Sequence, residues 1–265
     1  MDLDQIIEIE RIGVEEERRV VETIAATEPS WRSMTFTVAD GWALLSGAGL
    51  FVNQCMAAGL TEPLTSNDLE HVAQHAAEVG VPAAFELCDA TRSDVVALLE
   101  AEGWQRDGQR LVLLHPLEAL PAPIPGVDIA LVSESELAIW QATSAAGWGH
   151  TEPRAVAANN TMAAAAFVAD DPGLLLARDP ADGRPLGCAA LRISEGIATL
   201  GGMSTRPDER RRGVQSGLIE WRLRAAVDRG CRYAVSMTQP GSDSERNLRR
   251  AGFTPAYTKT NWVKP

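Results

Sequence analysis

Between Gly201 and Leu218 the chain reads Gly-Gly-Met-Ser-Thr-Arg-Pro-Asp-Glu-Arg-Arg-Arg-Gly-Val-Gln-Ser-Gly-Leu. A turn that feeds a helix points free backbone N–H groups and the positive helix end at one spot, which suits a phosphate. Gly213 lets the backbone approach a ligand closely, and Arg210, Arg211 and Arg212 add charge matched to a di- or triphosphorylated group. The same residues also describe a solvated arginine run in an ordinary turn, because a short Gly-rich turn is by itself a weak motif.

The flanking elements must position that turn. Ile197 to Met203 is an apolar, β-compatible run, punctuated by Pro207-Asp208. From Val214 onward apolar residues fall at Leu218, Trp221 and Ala225, the spacing of one helical face. A strand from Tyr233 to Met237, a helix capped by Ser244 and running to Ala251, and a Gly252-Phe253 ending follow.

Arg210-Arg211-Arg212-Gly213-Val214-Gln215 resembles the acetyl-CoA pyrophosphate loop of the GNAT N-acetyltransferase superfamily, with Gln215 departing from the usual small residue at the last position. Ser244-Glu245-Arg246-Asn247-Leu248 to Gly252-Phe253 is similar to that superfamily's later helix. The resemblance covers Val127 to the C-terminus. It implies acetyl-CoA, or another acyl-CoA, as co-substrate, and acyl transfer to the amine of a small molecule without a metal. It places Met203, Ser204 and Thr205 on the pantetheine arm, with their N–H groups polarising the thioester. Arg210, Arg211, Arg212, Gly213, Val214, Gln215 and Ser216 would hold the pyrophosphate, with Ser244 and Asn247 as further cofactor contacts.

The departures fall at the catalytic positions. The superfamily often has a tyrosine five residues before the Gly-Phe aromatic; here it is Leu248. No carboxylate stands in Ile197 to Gly201, where many members carry a glutamate. Tyr257 and His150 are the remaining candidates for acid and base, the imidazole because its ordinary pKa lies near neutrality. The acceptor site, built in this superfamily from the first two helices and their loop, would draw on Trp148 and Glu152. The rival reading is a non-catalytic CoA-binding or scaffold protein, and a partly buried strand role for Tyr257 stays open.

The chain has 265 residues, 45% of them apolar, which is enough for a full core. Net charge is −12, and it is unevenly spread: residues 1–120 hold 7 basic and 21 acidic residues, a net of −14, while residues 121–265 are at +2. The acidic half disfavours nucleic acid and anionic membranes, and no apolar run approaches membrane-spanning length. The N-terminal Met-Asp-Leu-Asp-Gln is acidic where a signal peptide would be basic, so a cytoplasmic protein is expected, with a homodimer left open. Cys55, Cys88, Cys188 and Cys231 are widely spaced in apolar contexts and read as buried free thiols. His71 and His75, four apart on a helix, lack a third ligand and read as surface residues.

Pro116, Pro121, Pro123 and Pro125 mark a stiff linker. The expected organisation is a degenerate GNAT-like domain over 1–117, a linker over 118–126 and a CoA-binding domain over 127–265. An internal repeat supports it. Helix (Asn67 to Val79), strand (Ala83 to Leu87), capped helix (Ser93 to Ala101) and Gly103-Trp104 recur as helix (Val214 to Arg229), strand, helix and Gly252-Phe253. The first copy lacks the phosphate turn: Leu64-Thr65-Ser66-Asn67-Asp68 has neither arginine nor glycine. Any two α/β halves could share such an order. The fold expected is therefore α/β, two GNAT-like domains, each a mixed, mostly antiparallel sheet flanked by helices.

Overall fold

The computed structural model describes all residues, Met1–Pro265. The element order is α1 (Leu3–Thr27), β1 (Met34–Val38), β2 (Gly41–Leu45), β3 (Gln54–Met56), α2 (Ser66–Val79), β4 (Ala84–Cys88), α3 (Ser93–Ala101) and β5 (Gln105–His115). There follow β6 (Asp128–Leu131), α4 (Leu137–Trp148), α5 (Pro153–Ala169), β7 (Pro172–Arg178), β8 (Pro185–Ser194), β9 (Ile197–Thr205), α6 (Val214–Asp228), β10 (Tyr233–Thr238), α7 (Asp243–Arg250) and β11 (Thr254–Val263). None of the helices is long and apolar enough to cross a membrane.

The α/β class holds, with parallel and antiparallel pairs mixed, but the expectation of a separate sheet for each half is corrected. Strand pairing runs unbroken through the order β1-β2-β3-β4-β11-β5-β10-β9-β8-β7-β6. The chain divides into two compact units, Met1–Leu111 with Ala256–Pro265, and Val112–Pro255. The boundaries fall inside β5 and β11.

The first unit has a core of Val38, Leu45, Leu69, Val72, Phe85, Leu99 and Trp104, which Trp262 of β11 joins. Its antiparallel pairing with β4 puts Lys259 opposite Cys88 and Trp262 opposite Phe85. Beside this core lies a buried charged group. The Lys259 ammonium meets Glu10 at 3.0 Å and Glu86 at 2.5 Å, and Tyr257 donates its hydroxyl to Glu10 at 2.7 Å. Burial works against the Lys259 charge, yet the two carboxylates hold its pKa above the ordinary value.

In the second unit β6 to β9 form an antiparallel run and β10 lies parallel to β9. Trp140, Ala163, Ala166, Leu174, Leu176 and Cys188 pack α4 and α5 on this sheet.

Several local expectations change. The helix expected over Gly13 to Ala26 begins at Leu3, where Asp2 forms a capping box with Gln5. The short strand β3 was not read from the sequence; its three residues are too few to show alternation. The N-cap of α2 is Thr65, just before the expected Ser66-Asn67-Asp68, and Asp68 completes its capping box. Arg92 precedes α3, and Ser93 is its first helical residue. Ser133 caps a 3-10 turn (Glu134–Glu136) that leads into α4. The N-cap before α7 is Ser242, whose side chain accepts the Glu245 N–H, so Ser244 sits inside the first turn.

Candidate functional site

The site is built on β9 and α6. Along α6 the buried apolar side chains are Val214, Leu218, Ile219, Leu223 and Ala226, with Arg222 buried among them. Trp221 and Ala225, assigned to the apolar face from the sequence, are only partly covered. Burying a leucine such as Leu218 stabilises by about 1.5–3 kcal/mol, so this stripe fixes the rotation of the helix and with it the direction of its N-terminus.

That N-terminus is open. Gly213 is the N-cap residue, at φ +79°, and no side chain caps the first turn. The first-turn N–H groups have no carbonyl four residues behind them within the helix. Arg211 is also left-handed, at φ +66°. A Cβ on Gly213 would lie 3.0 Å from Ile124 Cγ2, and Ile124 and Val127 also pack on Gly217. The proline-rich segment thus runs along α6, and the Arg224 guanidinium donates to the Pro121 carbonyl at 3.5 Å.

The three arginines are not equivalent. Arg212 donates to Glu209 at 2.5 Å and to Asp179 at 2.8 Å, carboxylates it shares with Arg184. Its charge is compensated inside the protein, and with Arg184 it lowers the Asp179 pKa. Arg210 donates to the Gly147 carbonyl at 3.4 Å, and neither it nor Arg211 has a carboxylate partner. Gln215, where the family motif has a small residue, accepts from Asn247 Nδ2 at 2.6 Å, so these two expected contacts meet each other. Val214 is buried, Ser216 exposed, and Ser244 half-buried.

On the strand side, β9 and β10 pair only from Ile197↔Tyr233 to Leu200↔Ser236. Ser236 then donates its hydroxyl to the Leu200 carbonyl at 2.9 Å. Gly201 to Thr205 continue without β10, leaving one edge of β9 unpaired. On the other edge, Cys188 pairs with Ser204 and Ala190 with Gly201, so β9 carries one extra residue there, a bulge containing left-handed Gly202 at φ +55°. Ser204 is buried with its hydroxyl 3.3 Å from Cys188 Sγ, while Met203 and Thr205 are half-buried. Burial pushes the Cys188 thiol up to about 11.

These observations test the fit of acetyl-CoA. An uncapped helix start, two arginines without carboxylates and an unpaired strand edge supply what a pyrophosphate and an amide-bearing arm require.

Trp148 ends α4 and is 57% exposed, and His150 and Glu152 are exposed in the loop to α5. Left-handed Gly149 turns the chain there, with the His150 N–H donating to the Ala145 carbonyl at 2.8 Å. Leu248, at the position of the family's tyrosine, is fully buried. Tyr257 belongs to the first unit. Burial and the Glu10 carboxylate push its pKa well above the ordinary 10, which makes the phenol a poor proton donor. No group of three or more His, Cys, Asp or Glu side chains is placed to hold a metal ion.

The Asp179–Arg184–Glu209–Arg212 network was not legible, because the turn between β7 and β8 and the turn before α6 are far apart in sequence. Arg222 gave no signal in the sequence, where it reads as one more charged residue of an amphipathic helix.

A bulged strand with a parallel neighbour, an arginine turn and a glycine-capped helix thus follow one another in the second unit. Residues 135–253 match the model of the acetyltransferase (GNAT) family, and this domain of the chain belongs to the GNAT acetyltransferase superfamily. No curated protein matches the sequence. Among solved structures, a GCN5-related N-acetyltransferase from Kribbella flavida is 20% identical, with 91% of this chain and 94% of that one covered and a TM-score of 0.66. A functionally unknown conserved protein from Staphylococcus epidermidis is 15% identical, with 91% and 96% covered and a TM-score of 0.62. A tandem GNAT protein from the clavulanic acid biosynthesis pathway is 12% identical, with 86% and 78% covered and a TM-score of 0.62. At these identities the likeness is one of fold.

Proposed function

We propose that the second unit is an acyltransferase that moves an acetyl or other short acyl group from coenzyme A to the amine of a small molecule, and that the first is its degenerate counterpart. The observation that carries the reading is the open edge of β9 beyond Leu200 beside the uncapped start of α6. The arm of the cofactor would hydrogen-bond along Met203, Ser204 and Thr205, and its pyrophosphate would meet the first-turn N–H groups with Arg210 and Arg211. The neutral amine attacks the thioester carbonyl, the oxygen's gathering charge is stabilised by β9 N–H groups, and the CoA thiolate leaves. Positioning supplies much of the rate in such a transfer, and a thiolate is a fair leaving group. Trp148, His150 and Glu152 stand on the acceptor side, with His150 as base through its exposed imidazole.

The alternative, a non-catalytic CoA-binding protein, is favoured by buried Leu248 and by the engagement of the Tyr257 hydroxyl with Glu10. Calorimetric titration with acetyl-CoA, followed by mass spectrometry of transfer to an amine panel, separates the two. Binding with transfer is the expected result; binding without transfer to any amine supports the alternative, and no binding removes both.

A further inference from the structure

Arg222 is 1% exposed, among the largest fully buried side chains of the chain. A buried guanidinium ordinarily has a carboxylate beside it. Arg222 has none. Nε donates to the Leu218 carbonyl at 2.9 Å, and Nη1 to the carbonyls of Ala190 at 3.0 Å and Gly201 at 3.2 Å. Nη2 reaches Met203 Sδ at 2.9 Å. Burial brings its pKa down to about 9, with no carboxylate opposing the shift.

The partners outside α6 share one place. Ala190 and Gly201 are the last regular pair of β8 and β9 before the ladder slips, and Met203 lies in the slipped interval. At the same point β10 has just left β9. A bulge frees backbone groups from the ladder, and buried carbonyls need donors. The planar guanidinium fork offers several donors in fixed directions, which a lysine ammonium does not.

We propose that Arg222 is a positioning residue. It holds the β9 bulge in register from beneath and so sets the directions in which Met203, Ser204 and Thr205 present their N–H groups to the acyl-bearing arm of coenzyme A. The inference rests on the acyl-CoA reading of the site. Without the guanidinium the Ala190 and Gly201 carbonyls lose their side-chain donor, and the strand gains by slipping toward regular pairing. A one-residue slip would turn its side chains to opposite faces.

The test uses Arg222→Met, similar in length but without donors, and Arg222→Lys, which keeps the charge but not the fork. Each full-length variant is titrated with acetyl-CoA and with 3′-phospho-ADP, the nucleotide part of the cofactor, and its thermal unfolding is recorded. Arg222→Met should bind acetyl-CoA about tenfold more weakly, the equivalent of one or two net hydrogen bonds, with Arg222→Lys in between. Affinity for 3′-phospho-ADP should stay at the wild-type level, because α6 still presents its N-terminus. Equal losses for both ligands, unchanged acetyl-CoA affinity, or failure of both variants to fold would each overturn the proposal. A wild-type protein that binds neither ligand would instead remove the underlying acyl-CoA reading.

Discussion

Helices α2 and α6 occupy the same place in the repeated order, and their first turns differ in what they leave free. At α2, Thr65 accepts the Asp68 N–H at 3.3 Å, while the Asp68 carboxylate takes the Thr65 N–H at 2.8 Å and its hydroxyl at 2.7 Å. That helix start is closed by its own side chains and carries a negative charge where an anion would come. At α6 a glycine caps the turn with no side chain, and arginines precede it. A helix N-terminus serves a phosphate only when the chain has not already satisfied it.

The largest effect expected from breaking this contrast is at Gly213. Gly213→Asp places a carboxylate among the N–H donors and a Cβ in left-handed backbone, and should weaken acetyl-CoA binding by at least about 100-fold, since like charges at a site cost several kcal/mol. The new Cβ also meets Ile124, so Gly213→Asn is the control: asparagine tolerates positive φ without charge, and it should lose much less affinity by calorimetry. Unchanged affinity in Gly213→Asp would show that the pyrophosphate does not sit there.

The next effect separates the arginines. Arg211→Ala should lower acetyl-CoA affinity about tenfold and flatten its salt dependence, as expected for a charge-assisted contact of 1.5–3 kcal/mol in low salt. Arg212→Ala should leave affinity nearly unchanged and lower stability by about 1 kcal/mol or less, because Arg184 remains on Asp179 and Glu209. Equal losses of affinity would mean that Arg212 leaves its carboxylates for the ligand.

In the first unit, Thr65→Ala should lower the unfolding free energy by about 1 kcal/mol in a urea titration, with acetyl-CoA affinity untouched. A change in affinity would break the assignment of binding to α6.

The smallest effect concerns the box before α4. Glu136 accepts the Ser133 N–H and hydroxyl and pairs with Arg178 at 2.8 Å, which together bring its pKa from the ordinary 4.5 to about 2. A carboxylate depressed in the folded state contributes stability above pH 4.5, and the contribution is lost as pH falls from there through about 2. The difference in urea midpoint between wild type and Glu136→Gln should therefore be largest above pH 4.5 and vanish toward pH 2. A difference independent of pH would assign the effect to packing.

Much of this was legible along the chain. The order helix, strand, helix and Gly-aromatic appears twice, and α2, β4, α3 and α6, β10, α7 lie close to the expected ranges. The glycine turn before α6 was readable because its geometry is local: a glycine able to adopt positive φ, followed by a helix. Ser242 was missed as the cap of α7 because three candidates, Ser242, Asp243 and Ser244, stand together, and cap choice depends on where the turn before it ends. Tyr257 was attractive as an acid by nearness in sequence, yet its hydroxyl donates to Glu10, 247 residues away.

What the sequence determined by itself was the pattern of elements, the arginine turn and the absence of the family's tyrosine and strand carboxylate, since propensity, turn chemistry and residue identity act over a few neighbours. Only the tertiary structure decided that Arg212 is neutralised by Asp179 and Glu209, that Gln215 and Asn247 pair, and that Arg222 is buried under the β9 bulge. It also decided that β10 leaves β9 after Leu200. Each of these depends on which distant groups burial brings within hydrogen-bond reach, and a charged group deprived of water must take whatever partners packing supplies.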